Sequence, residues 1–202
     1  DFMKDLKVRI MADCHAGAGC VIGTTLEIKD KIVPNLVGVD IGCGMLCVNL
    51  GKIQIDFEEL DNFIHNNIPA GMNVNEDITK ANVVLEDLKC INKINKITYL
   101  KKSLGSLGGG NHFIEIDVNS KGEYYLVIHT GSRNLGKQVA EIYQNKAIQY
   151  HEDRLFNKKE AINKVVTEYK KTGRQKEIKA EIQQISQMHI QLSMPKELCY
   201  LE

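Results

Sequence analysis

The order of apolar and polar positions predicts strands interleaved with two helices up to about residue 136, and helices alone after it. Residues 7–25 read as strand, loop, strand: Val8 and Ile10, then Val21 and Ile22, flank the loop Asp13-Cys14-His15-Ala16-Gly17-Ala18-Gly19. The apolar run Leu36, Val37 and Val39 predicts a buried strand, and residues 44–50 predict another. Asp56 followed by Glu59 has capping-box form and opens a helix through Phe57, Leu60, Phe63 and Ile64. Pro69-Ala70-Gly71 breaks the chain, and Thr79 starts a second helix with the stripe Val83, Val84, Leu85 and Leu88. Residues 111–118 and 123–130 read as a hairpin, because Asn119-Ser120-Lys121-Gly122 fits a type I turn with glycine at the left-handed bulge position. From residue 136 to 194 the pattern is helical, and Gly173 with the polar run Lys170-Lys171-Thr172 divides it into at least three helices. The expected class is α+β: a mixed, mostly antiparallel sheet core over residues 1–136, with a helical segment of the same domain over 137–202.

Length and charge narrow the class without choosing a function. A chain of 202 residues can bury a real core. The 26 basic and 26 acidic residues cancel, so no global basic field points to nucleic acid, although a local patch would suffice. Nothing resembles a signal peptide, and no apolar run approaches membrane-spanning length. The six cysteines (14, 20, 43, 47, 90 and 199) contain no Cys-x-x-Cys pair and lack the spacing of a disulfide framework. They predict free thiols in a reducing, cytoplasmic compartment. The chain starts without methionine and ends just after Pro195-Lys196-Glu197, which reads as an excerpt of a longer protein.

Candidate chemistry gathers in four places. In Val37-Gly38-Val39-Asp40-Ile41-Gly42-Cys43-Gly44-Met45 a carboxylate and a thiol three residues apart lie among glycines, half of a metal site; a buried cysteine beside a turn aspartate is the plain alternative. Asp13 and His15 would share a face if extended, so Asp13 either orients His15 or joins it as a ligand. In the hairpin, Val118 facing Glu123 would set His112 directly opposite His129, with Cβ atoms about 4.5–5.5 Å apart; a one-residue slip would separate them. Gly108-Gly109-Gly110 before Asn111 lets backbone N–H groups approach an anion, and Thr130-Gly131-Ser132-Arg133 before a helix has the ingredients of a phosphate pocket. His65, His151 and His189 fall on helical stretches and receive no role.

With Met11–His15, Val37–Met45, Gly108–Glu115 and His129–Gly136 in hand, the chain resembles the RtcB family of RNA ligases. That resemblance implies joining of an RNA 3′-phosphate or 2′,3′-cyclic phosphate to a 5′-hydroxyl, with GTP and manganese and through a histidine–GMP intermediate. It implies a two-manganese centre in which Cys43 bridges, His112 binds one metal, and Asp40 and His129 bind the other. Thiolate, imidazole and carboxylate would also suit zinc, so the choice of manganese comes from the resemblance. Asn111, His112, Phe113, Ile114 and Glu115 would line the GTP site, with Asn111 on phosphate, Glu115 on guanine and Phe113 as an apolar wall. Arg133 would hold a phosphate, and Asp13 and His15 would lie near the metals. Ala12 stands where the family often has proline. The resemblance also implies a further C-terminal half with another metal-binding histidine and the nucleophilic histidine, both beyond Glu202, so the isolated chain is expected to be inactive.

Two classes of function follow: a ligase of broken or spliced tRNA or rRNA ends, seen here as its metal-binding part, or a non-catalytic metal- or nucleotide-binding module.

Overall fold

The computed structural model describes residues 6–38, 41–78 and 85–202. The chain is α+β and forms two compact units, one of residues 1–37 with 143–202 and one of residues 38–142.

In the first unit, β1 (Val8–His15) pairs antiparallel with β2 (Ile22–Leu26), from Val8 opposite Leu26 to His15 opposite Ile22, with an irregularity between Ile10 and His15. Asp13, Cys14 and His15, expected in a loop, extend β1. The next element is a correction. Leu36 and Val37, read as the start of a buried strand, belong to a short helix, α1 (Pro34–Val37), and Val37 is 52% exposed. Pro34 at the first helical position supplies a preset φ, and the Leu36 and Val37 N–H groups donate to the Val33 carbonyl. A run of three apolar residues is too short for periodicity to tell strand from helix. Val39 lies outside the described residues.

Three helices complete this unit. The long α4 (Leu135–Leu155) starts in the second unit and ends here, followed by α5 (Lys158–Lys171) and α6 (Ile178–Gln187). The breaks are local: Asn157 caps α5 by accepting from the Glu160 N–H at 3.0 Å, and Gly173 at φ +75 ends it. Tyr169 and Ile185 are buried, the Tyr169 hydroxyl donates to Glu181 at 3.0 Å, and the Arg174 guanidinium lies 4.2 Å from the Tyr169 ring centroid. Among the described residues no helix is long and apolar enough to cross a membrane.

Cys199 has no exposed surface, and burial pushes its thiol up, whereas Cys14 and Cys47 are exposed. A maleimide at neutral pH is therefore expected to label Cys14 and Cys47 in the folded protein and Cys199 only after denaturation. Peptide mass spectrometry reads this; early labelling of Cys199 would mean that its enclosure is wrong.

The second unit is built on a three-stranded antiparallel sheet of order β3-β5-β4: β3 (Gly44–Gly51), central β5 (Tyr124–Thr130) and β4 (Phe113–Val118). The helix α2 (Phe57–Asn67) starts where expected, with the Asp56 carboxylate accepting from the Glu59 N–H at 2.9 Å. Thr79, Val83 and Val84 of the second expected helix lie outside the described residues; Leu85–Asp87 form a single 3-10 turn. A short α3 (Ile97–Lys102) precedes the glycine-rich loop. Among the described residues, Leu85, Cys90, Ile94, Leu100, Val127 and Ala140 supply the buried apolar side chains of this unit.

The hairpin forms, but in a different register. Val118 pairs with Tyr124 and Phe113 with His129, so His112 is not opposite His129. The Gly122 N–H donates to the Asn119 carbonyl and the Asn119 N–H to the Glu123 carbonyl, which makes Asn119 and Glu123 the closing pair around Ser120-Lys121-Gly122. Gly122, at φ +75, takes the left-handed bulge position as expected. Counting four loop residues in place of three displaced the pairing by one.

Candidate metal centre

Topology brings three residues to one end of the sheet. Cys43 precedes β3 by one residue, His112 precedes β4 by one residue, and His129 is the penultimate residue of β5. Both outer strands run antiparallel to β5, so their beginnings flank its end. Each of Cys43, His112 and His129 is half-buried, and their ligand atoms all lie within 4.8 Å of one another. The Cys43 Sγ stands 3.4 Å from His112 Nε2, and the two imidazole centroids are 5.3 Å apart at 76°.

The histidines meet in spite of the shifted register because His112 has left the strand. Its Nδ1 donates to the Leu107 carbonyl at 3.0 Å, which turns the ring in toward Cys43. His129 Nδ1 in turn donates to the Asn111 carbonyl at 3.1 Å. Both carbonyls fix a tautomer and leave Nε2 with a lone pair, the arrangement that metal-binding imidazoles require. The backbone at Gly131 completes the cradle. A Cβ there would stand 2.6 Å from Cys43 Sγ and 3.1 Å from His112 Nε2. One thiol and two oriented imidazoles, gathered at one end of a sheet, suit a soft-to-borderline divalent metal, and the residues present fit such an ion.

Close backbone packing sets the turn that holds Cys43. Gly136, in the first turn of α4, lies directly against the Ile41 carbonyl, with no room for a Cβ. The Ser132 hydroxyl caps the same helix by accepting from the Gly136 N–H at 2.7 Å.

The remaining expected residues divide clearly. Asp40 lies outside the described residues. Asp13 and His15 belong to the first unit; His15 Nδ1 donates to the Asp13 backbone carbonyl at 2.9 Å, so the contact between them uses the main chain and not the carboxylate. Phe113 and Glu115 alternate along β4 opposite His129 and Val127, so both share the sheet face of His129. The Phe113 ring meets the His129 ring edge-on at 5.5 Å, Ile114 points to the other face, and Glu115 is exposed. Arg133 donates to three protein acceptors: Ser106 Oγ at 3.0 Å, the Gly71 carbonyl at 2.7 Å and the Asn73 carbonyl at 3.3 Å. Beside it a cavity of about 240 Å³ is walled by Leu85, Leu100, Leu104, Ser106, Gly131 and Leu135. His65 is an exposed partner of Asp61 on α2, and His151 packs 4.4 Å from the Tyr200 ring. The carbonyls of Leu107 and Asn111 were invisible to sequence reasoning, since a backbone carbonyl has no residue signature.

A thiol and two histidines at the end of an antiparallel sheet, each ring held by a carbonyl, define an α+β protein with a metal-type site. The family model described as tRNA-splicing ligase RtcB matches residues 4–98 and 85–175, and the chain belongs to that family. The RNA-splicing ligase RtcB of Escherichia coli K12 is 31% identical over 157 residues, covering 67% of this chain and 38% of the relative. The tRNA-splicing ligase RtcB of Methanococcus maripaludis is 31% identical over 198 aligned residues, covering 70% and 41%, and that of Nanoarchaeum equitans is 31% identical over 207, covering 74% and 41%. The chain thus spans about two fifths of the length of these curated relatives.

Proposed function

We propose that the chain is the metal- and nucleotide-binding part of a cytoplasmic RNA ligase that joins a 3′-phosphate or 2′,3′-cyclic phosphate end to a 5′-hydroxyl end, with GTP and manganese, in tRNA splicing or RNA repair. The observation that supports this reading is the cluster of Cys43, His112 and His129 in a chain of the RtcB family.

Cys43 as thiolate, with His112 and His129 through their bare nitrogens and Asp40 as a fourth group, would hold the metal. Bound there, manganese would supply positive charge against the phosphates and lower the cost of activating an attacking oxygen. Phe113 and Glu115 share the face of His129, which supports a nucleotide lying along β4. The Phe113 ring offers the base an apolar wall. The Glu115 carboxylate can accept from both N1–H and the exocyclic amine of guanine, a pair that adenine does not present. Asn111, at the head of the strand, is the group for a phosphate. The nucleophilic histidine lies outside this chain in this reading, so the 202 residues alone bind without joining RNA.

The test is a joining assay on the complete protein, with a 3′-phosphate strand, a 5′-hydroxyl strand, GTP and manganese. Sealed product is expected, and none with ATP in place of GTP. Glu115→Gln should weaken GTP binding by roughly 10- to 150-fold, about 1.5–3 kcal/mol for hydrogen bonds lost to a charged acceptor, while leaving metal content unchanged. Equal use of ATP and GTP, or no product under any condition, would sink the respective part of the reading.

A further inference from the structure

Immediately before α4 the backbone passes through two consecutive left-handed residues that are not glycine, Arg133 at φ +51 and Asn134 at φ +79. Such conformations cost about 1–2 kcal/mol each and persist only where the surroundings over-determine them. Around Arg133 the determining contacts are those of its own side chain. Nε donates to Ser106 Oγ, and Nη2 donates to the carbonyls of Gly71 and Asn73. Ser106 is 7% exposed, and its hydroxyl donates onward to the Ser103 carbonyl.

We propose that Arg133 is a positioning residue for the metal centre, a strap whose guanidinium holds the loop that orients His112. The segments it ties together grip Leu107 from both sides. The Leu107 N–H donates to the Pro69 carbonyl at 2.8 Å, and the Gly71 N–H donates to the Gly108 carbonyl at 2.8 Å. The Leu107 carbonyl then receives His112 Nδ1 at 3.0 Å and Thr130 Oγ1 at 2.7 Å. With its proton on Nδ1, His112 presents a bare Nε2 to Cys43 at 3.4 Å. The line runs by hydrogen bond from Arg133 to Gly71 and from Gly71 to Gly108, along one peptide to Leu107, and by hydrogen bond from Leu107 to His112.

This role differs from the phosphate contact that the family resemblance implies. A guanidinium grips a phosphate best through two parallel N–H groups on one edge. Both such edges of Arg133 include Nη2, which already serves two carbonyls. The proposal rests on the reading of Cys43, His112 and His129 as a metal site, and its test has one arm that does not need metal.

The variants are Arg133→Ala, Arg133→Lys and Ser106→Ala of the 202-residue chain. In metal-free protein, nitrogen-15 NMR of the His112 ring reads the tautomer; with cobalt added, the thiolate-to-cobalt absorption reads metal affinity at Cys43. The native ring should hold its proton on Nδ1. Arg133→Ala should mix the tautomers and weaken cobalt binding about 10–100-fold, the size of effect usual for groups that orient ligands. Arg133→Lys should lose as much, since one ammonium cannot span acceptors on both loops, and Ser106→Ala should lose less. A native tautomer and native cobalt affinity in Arg133→Ala would overturn the proposal, as would full rescue by lysine. If Arg133→Ala does not fold, the other two variants decide on the same readouts. If the native chain binds no cobalt, the metal reading fails, while the tautomer comparison still decides the strap.

Discussion

Replacing Cys43 with serine is expected to remove most of the metal that the chain binds while leaving its fold in place. Serine nearly matches cysteine in shape, and Cys43 is only half-buried. The hydroxyl, however, keeps its proton at neutral pH, whereas a thiol readily gives a thiolate beside a divalent cation. His112 and His129 would then be the remaining described donors of the cluster. Loss of an ion-binding thiolate should exceed the roughly 10–100-fold cost of disturbing a group that only orients a ligand. Elemental analysis of the purified variant, beside its thermal unfolding curve, reads both halves of the expectation. Unchanged metal content would exclude Cys43 as a ligand. The same chemistry sets the direction with pH. Binding needs the thiol deprotonated and both imidazoles neutral, so protons compete with metal and affinity falls as pH falls.

The site was legible to different depths at different residues. His112 and His129 could be paired from the turn between their strands, and the structure does bring their rings to 5.3 Å. The register behind that pairing was one residue off, because Gly122 closes a three-residue loop and not a four-residue one. The rings meet for a reason no strand pattern encodes: His112 leaves the sheet and turns onto the Leu107 carbonyl. Cys43 was legible as chemistry, from a thiol among glycines, but not as geometry. Its place depends on the Ile41 carbonyl lying against Gly136, nearly a hundred residues away in sequence, where backbone meets backbone. Arg133 shows the opposite case. Its residue type fits a phosphate contact, while its backbone conformation and its three protein acceptors set it to work within the fold. Capped helices were the most legible elements: the Asp56–Glu59 signal marks α2, and an equivalent Asn157–Glu160 signal, not read from the sequence, marks α5.

Gly131→Ala should separate the ligands without unfolding the protein. Gly131 lies on no left-handed φ, so alanine meets no backbone penalty there. The new methyl would stand 2.6 Å from Cys43 Sγ and 3.1 Å and 3.2 Å from Nε2 and Cε1 of His112. Distances below 3.0 Å are not tolerated, so something must move. The groups in the way are the far ends of two side chains, not main chain, and the Cys43 thiol can swing aside by rotating about a single bond. That relief carries Sγ off the His112 and His129 nitrogens. Overpacking of this kind costs about 1–3 kcal/mol, a drop in melting temperature of about 4–24 °C for a unit of roughly a hundred residues. The loss of metal should be far larger in proportion, because two of the three clustered donors are displaced together. Gly136→Ala has the contrary balance: its methyl would meet the Ile41 main-chain carbonyl, which no side-chain rotation relieves, so its damage falls on stability first. A manganese titration of Gly131→Ala beside its melting curve separates the two cases. Native affinity in a folded Gly131→Ala variant would show that the metal, if any, binds elsewhere than between Cys43, His112 and His129.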